Sequence, residues 1–404
     1  MRILFVVATV PSSNLYPRPF HFIRHLSEKH HVSVFCVARN ETQRRSAAEL
    51  LRNCKSVEVF RLPVWQSVWN CLCALFSSRA LRTSYFYSPV LKRRVEEVVA
   101  RGEIDLIQAE LVKTIPMIEG VRGRVPIVFD AVDCVSMMEA RRRKVLRNPL
   151  LKLLSQWEEQ KMRRWEGWAS DNLEGIVISS RVDKEAFPER PQSKHEIRVV
   201  PNPVDLEYFS LGRFECRQDT VIFCANLAYF PNEDAALYLA YEIWPAIRAR
   251  RSGLQLEIVG NRPSKRVKDL DGKNNIRVIA SVPDIRPHLR RAWISLCPIR
   301  VQAGTQNKIL QAMALGVPVV ATRACCPGLG VEPGKHLLTA DRPDEFVSAI
   351  ESLLDDENLR NRLKRAAREY VERNHGCEAS GDKLLAAYEE ALGRPLPESS
   401  LVNA

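Results

Sequence analysis

Short apolar runs and longer amphipathic segments alternate along the first half of the chain. The runs "ILFVVA" (3–8), "HVSVFCV" (31–37) and "IDLIQA" (104–109) are typical of parallel strands that are covered on both faces. Segments with helical spacing lie between them, such as "FHFIRHLSEK" (20–29). A long charged segment, about 136–168, carries leucines at helical spacing and is predicted to be helical.

The second half repeats this alternation. The runs "TVIFCAN" (220–226), "LQLEIVG" (254–260) and "WISLCPI" (293–299) predict further strands, and the tail from Pro343 to Leu392 predicts two or three helices. Strands that alternate with helices indicate a parallel sheet with right-handed crossovers. We therefore expect an α/β protein with two doubly wound, Rossmann-like domains.

The boundary between the two domains is predicted in "VPNPVDLEYFS" (200–210), which has two prolines near its start. This places the domains at 1–203 and 204–377. A length of 404 residues agrees with two domains, because a single core seldom grows that large.

Composition excludes several classes of protein. With 46% apolar and 27% charged residues, the chain is typical of soluble globular proteins. Its start, "MRILFVVATVPSS", indicates a buried strand rather than a secretion signal, and no run reaches the roughly 18–20 apolar residues of a membrane span. The 11 cysteines lack the spacing of a zinc site, so we expect reduced, mostly buried thiols in a cytoplasmic protein.

The net charge of +12 is concentrated in the first half, where residues 1–200 carry 33 Lys and Arg against 22 Asp and Glu. A basic half favours an anionic partner, such as a phosphate group, acidic lipid or nucleic acid. No RRM, KH, zinc-finger or helix-turn-helix signature accompanies this charge, so we expect no nucleic-acid partner.

One apolar segment, Val64–Phe76, contains Trp65 and Trp69 and is followed by Arg79 and Arg82. Two interpretations fit this pattern. The segment is either a helix packed on its own sheet or a helix that rests on an anionic membrane surface.

In open parallel sheets, ligands bind beyond the carboxyl ends of the strands. Three loops of the second half follow predicted strands: "VGNRPSKRVK" (259–268), "ASVPDIRPHL" (280–289) and the stretch "AGTQNKILQAMALGVPVVAT" (303–322). The first of them carries Arg262 and Lys265. Both are candidate ligands for an anion, although solvated surface residues would give the same pattern.

The third stretch predicts a helix with a positively charged start. Gly304 permits close approach of a ligand to the backbone, and Thr305 is the predicted N-cap. The backbone N–H groups of the first turn, including that of Asn307, would then be free to bind a phosphate together with the helix dipole. Lys308 and Arg300 would add full positive charges. An ordinary capped helix with a solvated lysine is the alternative.

The segment "PIRVQAGTQNKILQAMALGVPVVA" (298–321) resembles the donor-binding block of family 4 retaining glycosyltransferases. It is most similar to the branch of sugar transferases associated with exopolysaccharide and PEP-CTERM export. Further similar segments occur in the same order, namely "RPFHFIRHLSEKHHV", "FDAVDCVSMMEARR", "VPNPVDLEYFS", "YFPNEDAALYLAYEIWPAIRARR", "IVGNRPS" and "VPDIRPHL".

This resemblance implies a GT-B fold, in which two Rossmann-like domains face each other across a cleft. The first domain would bind the acceptor, the second would bind the nucleotide-sugar, and a helix at about 378–392 would pack back on the first. The implied activity is retaining transfer of a sugar from a nucleotide-diphosphate sugar to a glycan or polyprenyl-linked acceptor. Polysaccharide biosynthesis in the cytoplasm, at the inner face of the plasma membrane, would be its setting.

The resemblance also implies that no metal or other cofactor is needed. The DxD sequence Asp269–Asp271 lies in a polar stretch and is predicted to be a loop. Without a metal, the departing nucleotide diphosphate must be stabilised by cationic side chains and a helix N-terminus. The candidates are Arg262, Lys265, Arg300 and Lys308.

The resemblance gives three candidate residues in the first domain, although many family members place a histidine at the end of "IVFDAVD", where Asp133 lies. Arg18 either faces the cleft or is a surface arginine, and Glu110 matches an acidic position. Asp133 would orient an acceptor or sugar hydroxyl; alternatively, it is the N-cap of the helix that begins near Ser136. These three are the predicted catalytic residues.

The chain departs from the family where two glutamates normally stand eight residues apart. These positions are Ala303 and Gln311. Gln311 can still hydrogen-bond a ribose hydroxyl, but without charge, at a loss of about 1–2 kcal/mol. The alternative function is therefore a non-catalytic GT-B-like subunit that assists another glycosyltransferase.

Overall fold

The computed structural model describes residues 1–13, 16–77, 79–146, 148–188, 196–212, 217–300 and 304–396. The chain forms two compact units. The first contains Met1–Pro203 and Cys377–Ala404, and the second contains Val204–Gly376.

The first unit is built on a parallel sheet with the strand order β3-β2-β1-β4-β5-β6-β7. Its strands are β1 (Arg2–Val7), β2 (His31–Ala38), β3 (Ser56–Arg61), β4 (Leu106–Glu110), β5 (Ile127–Val132), β6 (Gly175–Ile178) and β7 (Arg198–Val199). Ile3 to Val7 are fully buried, as expected for a strand covered on both faces.

Helices connect these strands in sequence. They are α1 (Pro17–Ser27), α2 (Glu41–Leu51), α3 (Val64–Leu75), α4 (Leu81–Tyr85), α5 (Pro89–Ala100), α6 (Ile115–Ile118), α7 (Val135–Val145), α8 (Pro149–Asn172) and α9 (Arg181–Ala186). The charged segment predicted as one helix over 136–168 is two helices, α7 and α8. Pro149 disfavours a helical backbone at Asn148, whose side chain instead caps α8 by accepting N–H of Leu150 and Leu151.

The second unit has a parallel sheet with the order β10-β9-β8-β11-β12-β13. Its strands are β8 (Arg217–Cys224), β9 (Gln255–Gly260), β10 (Ile276–Ala280), β11 (Ala292–Cys297), β12 (Val319–Ala321) and β13 (Leu338–Thr339). The helices are α10 (Phe230–Tyr238), α11 (Trp244–Arg250), α12 (Lys265–Lys268), α13 (Arg286–Arg291), α14 (Asn307–Ala314), α15 (Cys326–Leu329), α16 (Pro343–Asp355) and α17 (Glu357–His375).

The last helix, α18 (Cys377–Leu392), belongs to the first unit. It packs on α1, β5 and β6, and its Leu384 and Tyr388 are fully buried in one face of that sheet. Gly381 lies so close to α1 that a Cβ atom there would be 2.2 Å from the imidazole of His25.

The prediction of two Rossmann-like parallel-sheet domains is confirmed by this architecture. Among the ten cysteines that the structure describes, none forms a disulfide, and most are buried. Within the described residues, no helix combines the length and the hydropathy that a membrane crossing requires.

Candidate functional site

The second sheet reverses its strand order between β8 and β11, and the carboxyl ends of these neighbouring strands face the start of α10 and α14. Lys308, in the first turn of α14, links this helix to α10. Its Nζ donates to Asn232 Oδ1 of α10 at 2.6 Å and to Gln306 Oε1 at 3.0 Å. Such reversal points are where open α/β sheets bind ligands.

The positive charge of Lys308 is not balanced by a carboxylate in the described part of the chain. Both hydrogen-bond acceptors are neutral amide oxygens, and the side chain is only partly exposed. Amide oxygens orient an ammonium group without neutralising it. Lys308 is therefore well placed to attract an anion.

Arg300 has a different environment from the predicted one. Its Nε and Nη2 donate to the two oxygens of Asp234 at 3.1 and 2.8 Å, and its guanidinium lies 4.2 Å from the ring centre of Tyr238. Glu242 is a further carboxylate at 3.7 Å. These carboxylates balance the charge of Arg300, and Asp234 ties it to α10. The contact of Arg300 with a diphosphate stays a prediction.

The loop after β9 presents two cations. Arg262, with a left-handed backbone (φ 51°), and Lys265, the first residue of α12, are both exposed, and neither forms an ion pair with another described residue. They follow β9, the neighbour of β8, so they lie at the same edge of the sheet as Lys308. The structure leaves both available to an anionic ligand.

The start of α14 differs from the prediction in its cap. The N-cap is Gln306 rather than Thr305, and it makes no side-chain capping bond. Asn307 N–H, which was predicted to be free, donates to Thr305 O at 3.1 Å because the chain makes a tight turn there. Gly304 has a positive φ of 65°, which a glycine adopts without strain.

Gln311 lies one turn beyond Lys308 on α14 and is partly exposed. The other family position, Ala303, lies outside the described residues.

In the first unit, Arg18 is buried rather than exposed. Its Nε and Nη2 donate to the two oxygens of Asp130 at 2.9 and 3.0 Å, and Nη1 donates to Val200 O and Asn202 Oδ1. The side chain is thus held on all sides by protein groups. This geometry fits a structural ion pair, and the catalytic role of Arg18 stays a prediction.

Glu110 ends β4 and pairs in register with Asp130 of β5. It is buried, and its Oε2 has no hydrogen-bond partner. Burial raises the pKa of Glu110 well above its usual range, and the charge of Asp130 adds to this effect. Buried, unsatisfied polar atoms are rare in proteins and call for a functional explanation.

The backbone is strained where β4 and β5 end. Leu111 has φ 64° and ψ 149°, a region that is essentially restricted to glycine, and Val132 has φ 63°. These residues directly follow Glu110 and precede Asp133. Such strain is typical of functional sites, and the sequence gives no signal for it because neither residue is a glycine.

Asp133 follows β5 and accepts a hydrogen bond from Ser179 Oγ at 3.4 Å. Burial raises its pKa to about 7, with a further contribution from the charge of Asp183. It is not the N-cap of α7: the buried Glu166 accepts the N–H groups of Val135 and Ser136 there, at 2.7 and 3.1 Å. Asp133 therefore does not have the alternative role of a helix N-cap.

The pKa of Asp133 predicts a pH-dependent stability. Because its folded pKa is raised above the ordinary value of 3.8, the folded state holds a proton that the unfolded state releases between about pH 4 and pH 7. Stability is therefore lost as the pH rises through this window. Asp133→Asn should raise the free energy of unfolding more at pH 8 than at pH 4, measured by urea denaturation. An equal effect at both pH values would contradict the raised pKa.

No group of three His, Cys, Asp or Glu side chains suitable for a metal ion occurs among the residues in the described ranges. The DxD residues lie in a turn, and Asp271 Oδ1 accepts the N–H group of Val278 at 2.8 Å. This hydrogen bond gives Asp271 a structural role at the start of β10.

Two groups, Asn232 in the second unit and Tyr16 in the first, were not predicted from the sequence. The sequence shows Asn232 only as part of a segment that resembles the family, although its position in the first turn of the helix after β8 is a signal. Tyr16, near Glu110, has a pKa raised well above its usual range by burial and by the neighbouring carboxylates Glu110, Asp130 and Asp133.

Comparison with known proteins gives matches for the second unit and for the whole fold. Residues 218–356 match the family described as "Glycosyl transferases group 1". "Glycosyltransferase 1 domain-containing protein 1" of Xenopus tropicalis is 23% identical over 231 residues, which cover 51% of this chain and 64% of that protein.

Among solved structures, HepE of Anabaena in complex with UDP-glucose is similar with a TM-score of 0.68 and 15% identity, over 96% of this chain and 99% of that one. Sucrose-phosphate synthase of Thermosynechococcus elongatus is similar with a TM-score of 0.69 and 14% identity, over 97% and 99%. The chain therefore has the GT-B fold of these structures, and its second unit is similar to the group 1 glycosyltransferases.

Proposed function

We propose that the protein is a retaining glycosyltransferase that moves a sugar from a nucleotide-diphosphate sugar to a glycan or lipid-linked acceptor. The observation that carries this proposal is the unbalanced positive charge of Lys308 at the strand-order reversal of the second sheet. The match to group 1 glycosyltransferases covers the same region. The UDP and UDP-glucose complexes of HepE support a nucleotide-sugar as the donor.

In this proposal, Lys308, Arg262 and Lys265 neutralise the diphosphate that departs when the glycosidic bond forms. Preorganised cations can stabilise that charge without a metal ion. Gly304 lets the diphosphate approach the backbone, and Gln311 hydrogen-bonds the ribose.

Glu110 and Asp133 are the proposed acceptor-side groups of the first unit. The raised pKa of Glu110 favours its protonated form, which can donate a hydrogen bond to a sugar oxygen. Asp133, with its pKa near 7, can take up or release a proton at neutral pH.

Replacement of Lys308 tests the donor site. Lys308→Ala should weaken UDP binding by about 1.5–3 kcal/mol, or roughly ten- to a hundredfold, because a charge-assisted contact with phosphate is lost. Its melting temperature should stay within a few degrees of the wild type. The measurement is a titration calorimetry series with UDP, GDP and ADP.

Lys335, which pairs with Glu332 on the surface of the same unit, provides the matched control. Lys335→Ala should bind UDP as the wild type does. A large fall in the melting temperature of Lys308→Ala with unchanged nucleotide affinity would mean that the lysine is structural.

A non-catalytic GT-B-like subunit is the second candidate function. It is favoured by the neutral Gln311 and by Arg300, whose charge is balanced by Asp234. The two functions differ in turnover: a transferase releases UDP from UDP-sugar when an acceptor is added, whereas an assisting subunit binds the nucleotide without release. Nucleotide release above the rate of a Lys308→Ala protein would exclude the second function.

We further propose that the enzyme works in exopolysaccharide synthesis within family 4, at an anionic membrane surface on the cytoplasmic side. Helix α3 does not bury its large apolar residues on its own sheet: Trp65 is 71% exposed and Trp69 is 63% exposed. Leu150 and Leu153 of α8 are exposed as well. Trp65, Trp69, Val68 and Leu72 line one surface depression. We propose that they act together with Leu150 and Leu153, and we call this set the α3–α8 apolar surface.

A buried lysine joins the two helices of this surface. Lys161 of α8 donates to the carbonyl oxygens of Ala74, Ser77 and Arg79 at the end of α3, at 2.6–3.1 Å. Its ammonium lies 3.6 Å from the ring centre of Trp157. The neighbouring α7 carries four consecutive basic residues, 141–144. An apolar surface with a basic border is what an anionic membrane attracts.

Flotation with vesicles tests the membrane contact. The double variant Trp65→Ser, Trp69→Ser should reduce binding to vesicles of phosphatidylcholine with phosphatidylglycerol about tenfold or more, because it removes two interfacial anchors. Tyr241→Ser, which changes an exposed aromatic residue of the second unit, is the control and should bind normally. Equal binding of the wild-type protein to neutral and anionic vesicles would refute the proposed attraction between its basic residues and anionic lipid.

A further inference from the structure

A small cavity lies at the strand-order reversal of the first sheet. The strands β2 and β3 are added on one side of β1, and β4 is then added on its other side. The strand order therefore reverses between β1 and β4. The cavity, of about 200 Å³, is lined by residues that include Ala8, Arg39, Phe86 and Lys113. Ala8 follows β1, Arg39 follows β2 and Lys113 follows β4, which places them at the ligand-binding edge of such a sheet. Phe86 follows α4.

Lys113 brings a cation to this cavity. It lies in the short turn after β4, and its Nζ is 4.3 Å from the ring centre of Phe86. It forms no ion pair with any residue that the structure describes. Burial lowers the pKa of Lys113 to about 8, as do the nearby charges of Arg82 and Arg39, against the opposite effect of Glu110.

Arg39 is a second cation with unused donors. Its guanidinium lies 3.8 Å from the ring centre of Tyr85 and 4.5 Å from that of Phe86, and its Nη2 donates to Tyr85 O at 3.3 Å. Its Nε is buried and has no hydrogen-bond partner. A buried N–H group without an acceptor is unfavourable, so an acceptor atom in the cavity would stabilise it.

One aromatic ring thus positions both cations. Phe86 lies beneath the ammonium of Lys113 and the guanidinium of Arg39, which restricts the motion of both side chains. A guanidinium fork beside a compact ammonium group is the combination that recognises phosphate oxygens.

We propose that Arg39 and Lys113 bind a phosphate group of the acceptor. This inference rests on the proposed function, since it names the chemical class of acceptor for the same transfer. At about 200 Å³ the cavity is smaller than the roughly 300–1,000 Å³ that encloses a drug-sized ligand. It therefore holds the phosphate end of the acceptor rather than the whole molecule.

The cavity is connected to the α3–α8 apolar surface through α4. Phe86 directly follows α4, and α3 packs on this segment: Asn70 Nδ2 donates to Tyr87 O at 2.9 Å, and Cys71 Sγ lies 3.7 Å from Leu81 O. A phosphate attached to a membrane lipid would thus meet its cations one helix away from the surface. A water-soluble sugar phosphate presents the same chemistry.

Pyrophosphate binding by titration calorimetry tests the site, with Lys308→Ala as the parent protein so that the donor site contributes little. In this background, Lys113→Gln and Arg39→Gln should each weaken binding tenfold or more. Lys113→Arg, which keeps the charge, should recover most of it. Lys92→Gln, a surface change on α5 in the same unit, should have no effect.

Unchanged pyrophosphate affinity in both pocket variants would overturn the proposal, provided that their melting temperatures match that of the parent. This test of the phosphate site does not depend on whether Lys308 belongs to a donor site. If wild-type protein binds no nucleotide but Lys113→Gln still loses pyrophosphate binding, the phosphate site stands and the proposed donor site fails.

Two further arms separate the sources of the phosphate. Neutral phosphatidylcholine vesicles with and without a polyprenyl diphosphate are compared in flotation, and glucose 1-phosphate is used as a soluble competitor. A lipid acceptor predicts vesicle binding that depends on the diphosphate and falls at least tenfold in Lys113→Gln. A soluble acceptor predicts Lys113-dependent binding of glucose 1-phosphate without vesicle recruitment. If Lys113→Gln keeps both the vesicle binding and the glucose 1-phosphate binding of the wild type, the proposed site is refuted.

Discussion

Gly260→Ala is expected to unfold the second unit or to destabilise it by about 4 kcal/mol or more. A Cβ atom at this position would lie 1.7 Å from the backbone oxygen of Ala225 and 2.9 Å from its carbonyl carbon. No side-chain movement relieves this clash, because both atoms belong to the backbone between β8 and α10. The unfolding midpoint in urea and hydrogen exchange in β8 and β9 would measure the effect.

Gly253 is the matched control, since a Cβ atom there meets nothing within 4 Å. Gly253→Ala should change stability by no more than about 0.5 kcal/mol. If Gly260→Ala were as stable as this control, the close approach of β9 to the end of β8 would be wrong. The position of Arg262, two residues later, would then have to be revised.

Arg18→Ala is expected to cost about 3–5 kcal/mol of stability, because it leaves the carboxylate of Asp130 buried without its partner. The side chains of this ion pair are only 6% and 2% exposed. The expected result is a fall in the free energy of unfolding of the first unit, measured by urea denaturation at pH 7.

An exposed pair in the same unit gives the comparison. Arg181 and Glu185 of α9 have side chains that are 85% and 68% exposed, so Arg181→Ala should cost no more than about 0.5 kcal/mol. If Arg18→Ala kept wild-type stability but lost sugar transfer, the residue would have the catalytic role predicted from the sequence. A loss of both would follow from its structural role.

The fold could be predicted because its signal is local. Buried parallel strands read as continuous apolar runs, as in Ile3–Val7, and these runs recur with helices between them. Helix boundaries were less accurate: the cap of α14 lies at Gln306, since the chain turns tightly after Gly304, and Pro149 divides a segment whose leucine spacing indicated one helix.

The candidate site was predicted only in part because its contacts join distant positions. Lys308 could be selected from its motif, but its orientation depends on Asn232, which reaches it only when β8 and β11 become neighbours. Arg300 has the same kind of sequence environment as Lys308, yet Asp234 balances its charge. The strained backbones of Leu111 and Val132 have no signature in residue type.

Helix α18 has a consequence for the order in which the protein folds during synthesis. β1 is synthesised before the second unit, but one face of its sheet needs Leu384 and Tyr388, which are added after that unit. The second unit, with its own contiguous core, can fold while the first still exposes apolar residues such as Ile23 and Leu26. The sheet of the first unit is therefore completed only after the whole second unit has been synthesised.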